Sequence, residues 1–326
     1  MTGISVHELG SNDYRRWDDL VSSSPQGTVF HTINWLKCNS ESLDCRFVLL
    51  GAFHQDKLVG GCCLYERNYL YGIKSAITSV PLTPYSGFVL AFSDSADVRQ
   101  QEVWTQEIIT ALSDAIYKLG YPNITIINNP ALTDIRPLIW SKWKSFIKYT
   151  YVLPLDRNIF ASLSRNAKRN ITKAQNENIS ISKEFNNDLM WDLAVKTYEK
   201  QNMKVPFEKK QLTTLLDMIH QTNIGAMWIA STQDGIPISG ECIIWDKQGA
   251  YRWFAAADPD YLHTGATFFL LSEILQNLQS SDVNKIFMMA ANTENLSKFA
   301  LNFDPILIPY YGVHTKTIFH SFRIAL

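Results

Sequence analysis

Four cations occupy one arc of a helical stretch near the middle of the chain. At 100° per residue, Arg165, Lys168, Arg169 and Lys173 face away from an apolar arc of the same helix. The planar guanidinium fork of arginine fits two phosphate oxygens, and lysine adds a point charge. Because no acidic residue lies between them, the four cations repel one another unless an anion is bound. The spacing predicts a phosphate site, with a solvated basic surface as the alternative.

A second candidate for anion binding lies where an apolar strand pattern gives way to the helical pattern of residues 265–279. Thr264, Gly265 and Ala266 are small enough to leave the first backbone N–H groups of that helix accessible. These groups carry the positive end of the helix dipole, so they suit a phosphate. The corner predicts cofactor binding, and a plain turn from strand to helix is the alternative.

Glu241 is a candidate general base because it lies within the apolar strand pattern of residues 238–245. Burial in such a strand disfavours the charged form of a carboxyl group, and a base that works near neutral pH needs that tuning. An edge-strand carboxylate or a salt-bridged one is the alternative. The seven histidines show no metal-ligand spacing, so we expect no metal site.

Composition restricts the classes of partner. The 326 residues carry a formal net charge of −1, which gives no general attraction to nucleic acid or to an anionic membrane. No apolar run approaches the roughly 18 residues of a membrane helix, so no membrane span is expected. The five cysteines include the adjacent Cys62 and Cys63 and indicate no disulfide framework, which favours a cytoplasmic protein. The sequence does not determine the oligomeric state.

The elements that position these residues form a repeat. Residues 45–66 and 225–246 each contain an apolar strand, a turn with Gln-Asp, one or two small residues, and a second apolar strand with a cysteine. A helical pattern and a further strand follow each copy, at 98–120 with 124–127 and at 265–279 with 285–289. The repeat predicts two copies of one domain.

We place the domain boundary near residues 145–155, which gives domains 1–148 and 149–326, the second carrying the active cleft. Hairpin strands with a late strand–helix–strand unit predict an α+β fold, in which each domain has a mixed, mostly antiparallel sheet flanked by helices. Further expected elements are helices at 12–24, 30–39, 159–177, 187–201 and 207–221, an irregular segment at 69–90, a strand at 149–155 followed by a helix cap at Asp156, and a strand pair at 309–323.

This order of elements resembles the GNAT acyltransferase fold present twice, as in the Fem family and its acetyltransferase-like relatives. Short local similarities extend over nearly the whole chain. They are FHTINW at 30–35, Pro84-Tyr85-Ser86-Gly87, the basic helix at 164–174, the corner at 258–271, and residues 295–303 with Lys298-Phe299.

The resemblance implies an N-acyltransferase that moves an acyl group from an activated donor, acyl-CoA first, to an amine such as an amino sugar. Glu241 would be the base, and the four cations would hold a phosphate of a small-molecule or nucleotide-linked substrate. Lys37 and Tyr85 could line an acceptor groove, with a surface lysine and loop packing as the alternatives. Asn292, after the last strand of the second sheet, is a polar candidate for the cleft.

The chain departs from the pattern of GNAT enzymes that use acetyl-CoA. Their Arg/Gln-x-x-Gly-x-Gly/Ala signature has Leu262 at its first position here and Thr267 at its last. Fem-type enzymes do not need that signature, because they transfer an aminoacyl group from tRNA to a cell-wall precursor. Aminoacyl-tRNA is therefore the alternative donor, and a non-catalytic binding module with the same fold is a further alternative.

Overall fold

The computed structural model describes residues 3–68, 74–93 and 95–315. The chain divides into two compact units. Unit 1 contains the chain up to Lys148 together with the residues from Pro309 onward, and unit 2 is Tyr149–Ile308. The predicted second domain ran to the end of the chain, whereas the residues from Pro309 belong to unit 1. Among the described residues, no helix is both long enough and apolar enough to cross a membrane.

Unit 1 is built on a sheet in which the strands follow the order β1-β2-β3-β4-β6-β13, with β5 also paired to β3. The strands are β1 (Ile4–Glu8), β2 (Phe47–His54), β3 (Lys57–Asn68), β4 (Lys74–Ile77), β5 (Phe88–Leu90), β6 (Asn123–Ile127) and β13 (Ile306–His314). The helices are α1 (Tyr14–Ser23), α2 (Ile33–Ser42), α3 (Val98–Lys118) and α4 (Arg136–Trp140). The pair β4–β6 is parallel and the other pairs are antiparallel.

Unit 2 has a sheet in the order β8-β9-β10-β11-β12-β7. The strands are β7 (Lys144–Pro154), β8 (Ser180–Lys183), β9 (Gly225–Ser231), β10 (Pro237–Asp246), β11 (Gly249–Ala257) and β12 (Lys285–Phe287). The helices are α5 (Ile159–Ser162), α6 (Arg165–Asn176), α7 (Asn187–Glu199), α8 (Lys209–Thr222), α9 (Ala266–Gln279) and α10 (Glu294–Ala300). The pair β11–β12 is parallel and the other pairs are antiparallel.

The two units repeat one plan, so the predicted α+β fold with two similar mixed sheets is confirmed. Three antiparallel strands are followed by one parallel pair in each sheet, β4–β6 and β11–β12. A long helix, α3 or α9, precedes the last strand of each parallel pair. A parallel pair needs such a crossover because its strands run in the same direction.

Small residues in the repeated strands allow helices to pack closely on the sheets. A Cβ atom on Gly61 would lie 2.4 Å from the ring of Trp17 in α1. In unit 2, a Cβ atom on Gly240 would lie 2.3 Å from the sulfur of Met190 in α7. Both distances are below van der Waals contact, so larger side chains would push α1 and α7 away from their sheets.

Several local predictions were wrong. The helix expected at 159–177 is broken into α5 and α6, because the Ser164 hydroxyl accepts a hydrogen bond from the Ala167 N–H (3.0 Å) and starts a new helix. The cap of α5 is Asn158, not Asp156. The segment at 69–90 contains β4 and β5. Of the strand pair expected at 309–323, β13 is one strand, and the residues after Thr315 lie outside the described part.

The last strand of unit 1 comes from the residues that follow unit 2 in the sequence. In unit 2, Val152 to Pro154 of β7 pair with β12, where the strand at 149–155 was expected. β13 follows the second copy, yet Gly312 to His314 pair with β6 in unit 1. A cut at residue 148 would therefore leave the first half without its last strand.

We expect a chain that ends at Ile308 to lose stability in unit 1. It lacks the pairing of β13 with β6 and the buried side chains of Tyr310 and Val313. Loss of two buried side chains of this size lowers the melting temperature on the order of 10 °C. A chain that ends at Thr315 retains β13 and is the matched control. Equal melting temperatures of the two chains, measured by circular dichroism, would contradict the assigned pairing.

His31 makes the stability of unit 1 depend on pH. Its ring is fully buried, its Nδ1 atom accepts a hydrogen bond from the Thr28 N–H (3.2 Å), and burial lowers the pKa of His31 from 6.5 to about 3. Between these pH values the unfolded chain binds a proton that the folded chain excludes. Neutral His31 therefore contributes its full share to the free energy of unfolding above pH 6.5, and this contribution decreases by about 1.4 kcal/mol per pH unit as the pH falls towards 3. Urea unfolding between pH 7 and 4 should show a shallower slope for His31→Gln, and identical slopes would disprove this origin.

Candidate active site

The sheet of unit 2 opens between β11 and β12. These parallel strands pair only at Ala250↔Ile286 and Tyr251↔Phe287. β11 runs on to Ala257, whereas β12 ends at Phe287. Beyond Tyr251, no strand of the described residues pairs with this edge of β11. The result is a gap that one strand lines with backbone N–H and C=O groups.

A bulge in β11 lies at the start of this gap. Ile243 pairs with Arg252 and Cys242 pairs with Phe254, so the register shifts by one residue at Trp253. A bulge bends its strand and changes the direction of the following side chains. The bulge therefore contributes to the divergence of β11 from β12.

The corresponding place in unit 1 is filled by the chain itself. Beyond the parallel pair β4–β6, the Ile127 carbonyl accepts a hydrogen bond from the Ser86 N–H (3.2 Å). The Ile127 N–H donates to the Thr78 hydroxyl (2.8 Å). Tyr85, in the same segment, is fully buried and packs edge-on against Phe30. Tyr85 is therefore a core residue and does not line a groove.

Glu241 and Arg252 form a buried ion pair on the strands next to the gap. Arg252 Nε donates to Glu241 Oε2 (2.7 Å) and Nη2 donates to Oε1 (2.5 Å). The Glu241 side chain is 1% exposed and that of Arg252 is 9% exposed. Of the interpretations of Glu241 from the sequence, a general base or an edge-strand or salt-bridged carboxylate, the structure shows the salt bridge. A carboxylate that holds a cation with both oxygens is placed to orient that cation.

The second contact of Arg252 is with an aromatic ring. Its guanidinium carbon lies 5.0 Å from the ring centroid of Phe299, in α10. Phe299 packs in turn against Phe268 and Phe303 in the core of unit 2. The strands β11 and β12 form the two walls of the gap. Arg252 therefore extends from β11 to α10, the helix that follows β12.

The four predicted cations of α6 are all solvent-exposed. Arg165, Lys168, Arg169 and Lys173 lie on one face, opposite the buried Ala167 and Ala174. Lys173 also lies 3.7 Å from Glu177, one turn further along the helix. Three cations thus have no acidic partner among the described residues, and they remain candidates for a phosphate site.

The predicted cofactor corner is covered by α6. A Cβ atom on Gly265 would lie 2.3 Å from the backbone oxygen of Asn170, so the two segments are in direct contact. One turn later, Lys173 Nζ donates a hydrogen bond to the His263 carbonyl (2.6 Å). α6 therefore occupies the space in front of the first turn of α9.

The N–H groups of this corner are also largely occupied. The Thr264 hydroxyl accepts a hydrogen bond from the Ala266 N–H (3.2 Å). The Phe268 and Phe269 N–H groups both reach the Gly265 carbonyl, at 3.0 and 3.1 Å. Thr264 and Ala266 are buried. The packing of Asn170 on Gly265 and these hydrogen bonds reduce the room and the number of free donors for the pyrophosphate of CoA at this corner.

Lys37 and Asn292 each have a contact within their own unit. Lys37 is an exposed residue of α2, and its Nζ lies 5.1 Å from the ring centroid of Tyr14. The Asn292 amide donates to the Tyr149 carbonyl (2.7 Å) and accepts from the Tyr149 N–H (2.9 Å), so it holds the start of β7 in unit 2.

Sequence reasoning missed Arg252 and Phe299. The signal was present, since a lone acid and a lone base occur in two successive apolar strands, at Glu241 and Arg252. Opposite charges in adjacent antiparallel strands can also pair diagonally, and Arg252 lies opposite Ile243, two residues from Glu241. The bulge at Trp253 sets that register, and it is not visible in the sequence.

The closed corner can be tested with two glycines of nearly identical backbone conformation. Gly265 and Gly235 both have φ of +79°, but only Gly265 has a neighbour within 4 Å. Gly235→Ala should cost about 1 kcal/mol from the left-handed backbone alone. Gly265→Ala should cost a further 1–3 kcal/mol, roughly, because α6 must move. Urea unfolding of both variants measures the difference, and equal costs would show that α6 does not cover the corner.

Comparison with protein families identifies one domain. Residues 162–294 match the family described as the acetyltransferase (GNAT) domain. This range contains α6, the ion pair, the corner and both walls of the gap. No curated protein sequence matches the chain significantly.

Similar solved structures extend over both units. FemX has a TM-score of 0.67 at 11% identity, covering 94% of this chain and 96% of its own. L-PGS from Bacillus licheniformis has a TM-score of 0.57 at 9% identity, covering 96% and 94%. A tandem GNAT protein from the clavulanic acid biosynthesis pathway has a TM-score of 0.53 at 10% identity, covering 96% and 98%. The chain therefore has the tandem GNAT fold, with a GNAT acetyltransferase domain at residues 162–294, and resembles Fem-type proteins in its architecture.

Proposed function

We propose that the protein is an N-acyltransferase whose reaction takes place in unit 2, at the gap between β11 and β12. The observation that carries the proposal is the difference between the two units. The gap after the parallel pair is open in unit 2, whereas residues 78–87 fill it in unit 1. The GNAT domain match covers the open gap.

The gap suits a donor with an extended, amide-containing arm. Ala257, at the far end of β11, has its N–H and C=O groups bonded to the Thr197 hydroxyl. The stretch of β11 before it, around Ala255, offers backbone groups that hydrogen-bond an extended chain as a neighbouring strand would. Such binding places the activated carbonyl of the donor next to the buried polar pair. An amine acceptor attacks that carbonyl from the open side of the gap.

The donor that fits best carries its phosphates away from the α9 corner. Acyl-CoA was the first choice from the sequence, but α6 covers the place where its pyrophosphate was expected. The exposed cations of α6 are the alternative phosphate site, and they suit an aminoacyl group esterified to an RNA end. The resemblance of the sequence to the Fem family also implies this donor. Acyl-CoA bound in another way is the second candidate, which the description of the matched domain supports.

The donor can be identified by thermal shift and by direct transfer. The panel consists of acetyl-CoA, free CoA, a UDP-linked cell-wall precursor, and an RNA acceptor-stem hairpin carrying alanine or lysine. A ligand at 100 times its dissociation constant stabilises the folded protein by about 2.7 kcal/mol. We expect the charged hairpin to raise the melting temperature and to give a covalent amide product detected by mass spectrometry.

Variants of α6 test whether the predicted cations cause the rise in melting temperature. The double change Arg165→Ala and Arg169→Ala should weaken hairpin binding at least about tenfold, a loss of about 1.4 kcal/mol. Arg15→Ala with Arg16→Ala removes two exposed arginines from a helix of unit 1 and should leave binding unchanged. Transfer from acetyl-CoA would favour the second candidate, and binding without any transfer would favour a non-catalytic module.

A further inference from the structure

We infer that Arg252 donates hydrogen bonds to the carbonyl oxygen of the acyl group, and that Glu241 is the positioning residue that orients it. The inference rests on the proposed acyl transfer. It assigns a catalytic contact to a residue that the sequence did not single out, and it gives Glu241 a role other than that of a general base.

Arg252 stands where the two walls of the gap separate. It directly follows Tyr251, the last residue of β11 that pairs with β12, and it lies at the bulge of β11. Its planar group packs on Phe299, which comes from the helix after β12. An acyl group that enters the gap along β11 therefore reaches the guanidinium at the point where strand pairing begins.

The guanidinium has one edge fixed and one edge available. Nε and Nη2 are committed to the two carboxylate oxygens of Glu241. In the described part of the chain, Nη1 has no acceptor within hydrogen-bond distance, and 9% of the side chain is exposed. Because Glu241 and Phe299 hold the group on an edge and a face, the remaining N–H donors have a defined direction before substrate binds.

The charge of the pair favours a carbonyl oxygen over a phosphate. Glu241 neutralises Arg252, so the pair has no net charge with which to hold a dianion. Its free donors still stabilise negative charge that develops during reaction, and they act strongly in a site with little water. Exposed cations that suit a phosphate are present separately on α6.

The step is a balanced acyl transfer. The amine nitrogen bonds to the carbonyl carbon, and the π electrons of the C=O bond move to the oxygen, where Arg252 donates its hydrogen bonds. Collapse of this intermediate re-forms C=O and breaks the bond to the leaving oxygen or sulfur. The proton lost by the amine ends on the leaving group, so ester and amine give amide and alcohol, or thioester and amine give amide and thiol.

The test is steady-state kinetics with whichever donor of the panel above supports transfer by the unmodified protein. Arg252→Lys keeps the charge but loses the fork that both holds Glu241 and directs the free donors. We expect kcat to fall about 10²–10³-fold with KM nearly unchanged, the loss typical of an oxyanion donor. Arg157→Lys is the matched control, because Arg157 is paired with Asp304 (3.1 Å) elsewhere in unit 2 and should leave kcat unchanged.

Glu241→Gln separates positioning from base catalysis. If Glu241 positions Arg252, Glu241→Gln should lower kcat and leave the shape of the pH–rate profile as in the unmodified protein. If the unmodified protein loses activity at acidic pH and Glu241→Gln does not, Glu241 is the base and the inference is overturned. If Arg252→Lys does not fold, the double variant Glu241→Gln with Arg252→Met removes both buried charges together, and it should fold but lose activity.

The remaining outcomes distinguish the two proposals. Unchanged kcat in a folded Arg252 variant, or a rise in KM alone, would overturn the role of Arg252 and leave the acyltransferase intact. Absence of transfer by the unmodified protein with every donor would instead contradict the proposed function, and the inference that rests on it would fall as well.

Discussion

Each unit depends on one pair of parallel strands. Two strands that run in the same direction can be joined only by a crossover, so β4–β6 requires α3 and β11–β12 requires α9. The crossover helix packs on the sheet and supplies much of its core, including Ile108 and Leu112 in unit 1. The carboxyl ends of the paired strands are then the place where each sheet can separate. Each copy of the sequence repeat therefore contains the strands and the crossover helix that one parallel pair requires.

The two units use that place differently, for reasons that are local. In unit 1 the chain returns after β4, and residues 78–87 bond to β6 before β5 begins. In unit 2 the chain leaves β11 through a 3₁₀ turn at Pro259–Thr264 and enters α9 directly. No strand of the described residues pairs with β11 beyond Tyr251, so this edge stays open as far as Ala257, which bonds to Thr197. The same fold thus has a filled gap in one copy and an open one in the other.

Much of the fold could be predicted from the sequence because it depends on short-range patterns. The alternation of apolar strands with small residues and the long helical patterns at 98–120 and 265–279 appear in the structure as predicted. The break between α5 and α6 was missed because it depends on the Ser164 cap, which competes with an otherwise continuous helical pattern. The return of β13 to unit 1 was missed because pairing partners far apart in sequence leave no local signal. The strand expected at 149–155 was placed in the second domain, and it pairs there with β12.

The site was harder to predict than the fold, since its properties depend on tertiary contacts. Glu241 was recognised as an unusual acid in an apolar strand, but its partner depends on the register across a bulge. The corner at Thr264–Ala266 has the composition of an anion site, and only the packing of Asn170 on Gly265 shows that it is closed. The cations of α6 were identified correctly as exposed, although Lys173 is divided between Glu177 and the His263 carbonyl.

A buried ion pair is a poor means of stabilising a sheet. Glu241 and Arg252 must both lose water, and apolar residues of similar volume often give equal or greater stability at such positions. What an apolar pair could not supply is a directed hydrogen-bond donor beside the gap. The polarity at this point of β11 is therefore better explained by the chemistry of a bound carbonyl than by the needs of the fold.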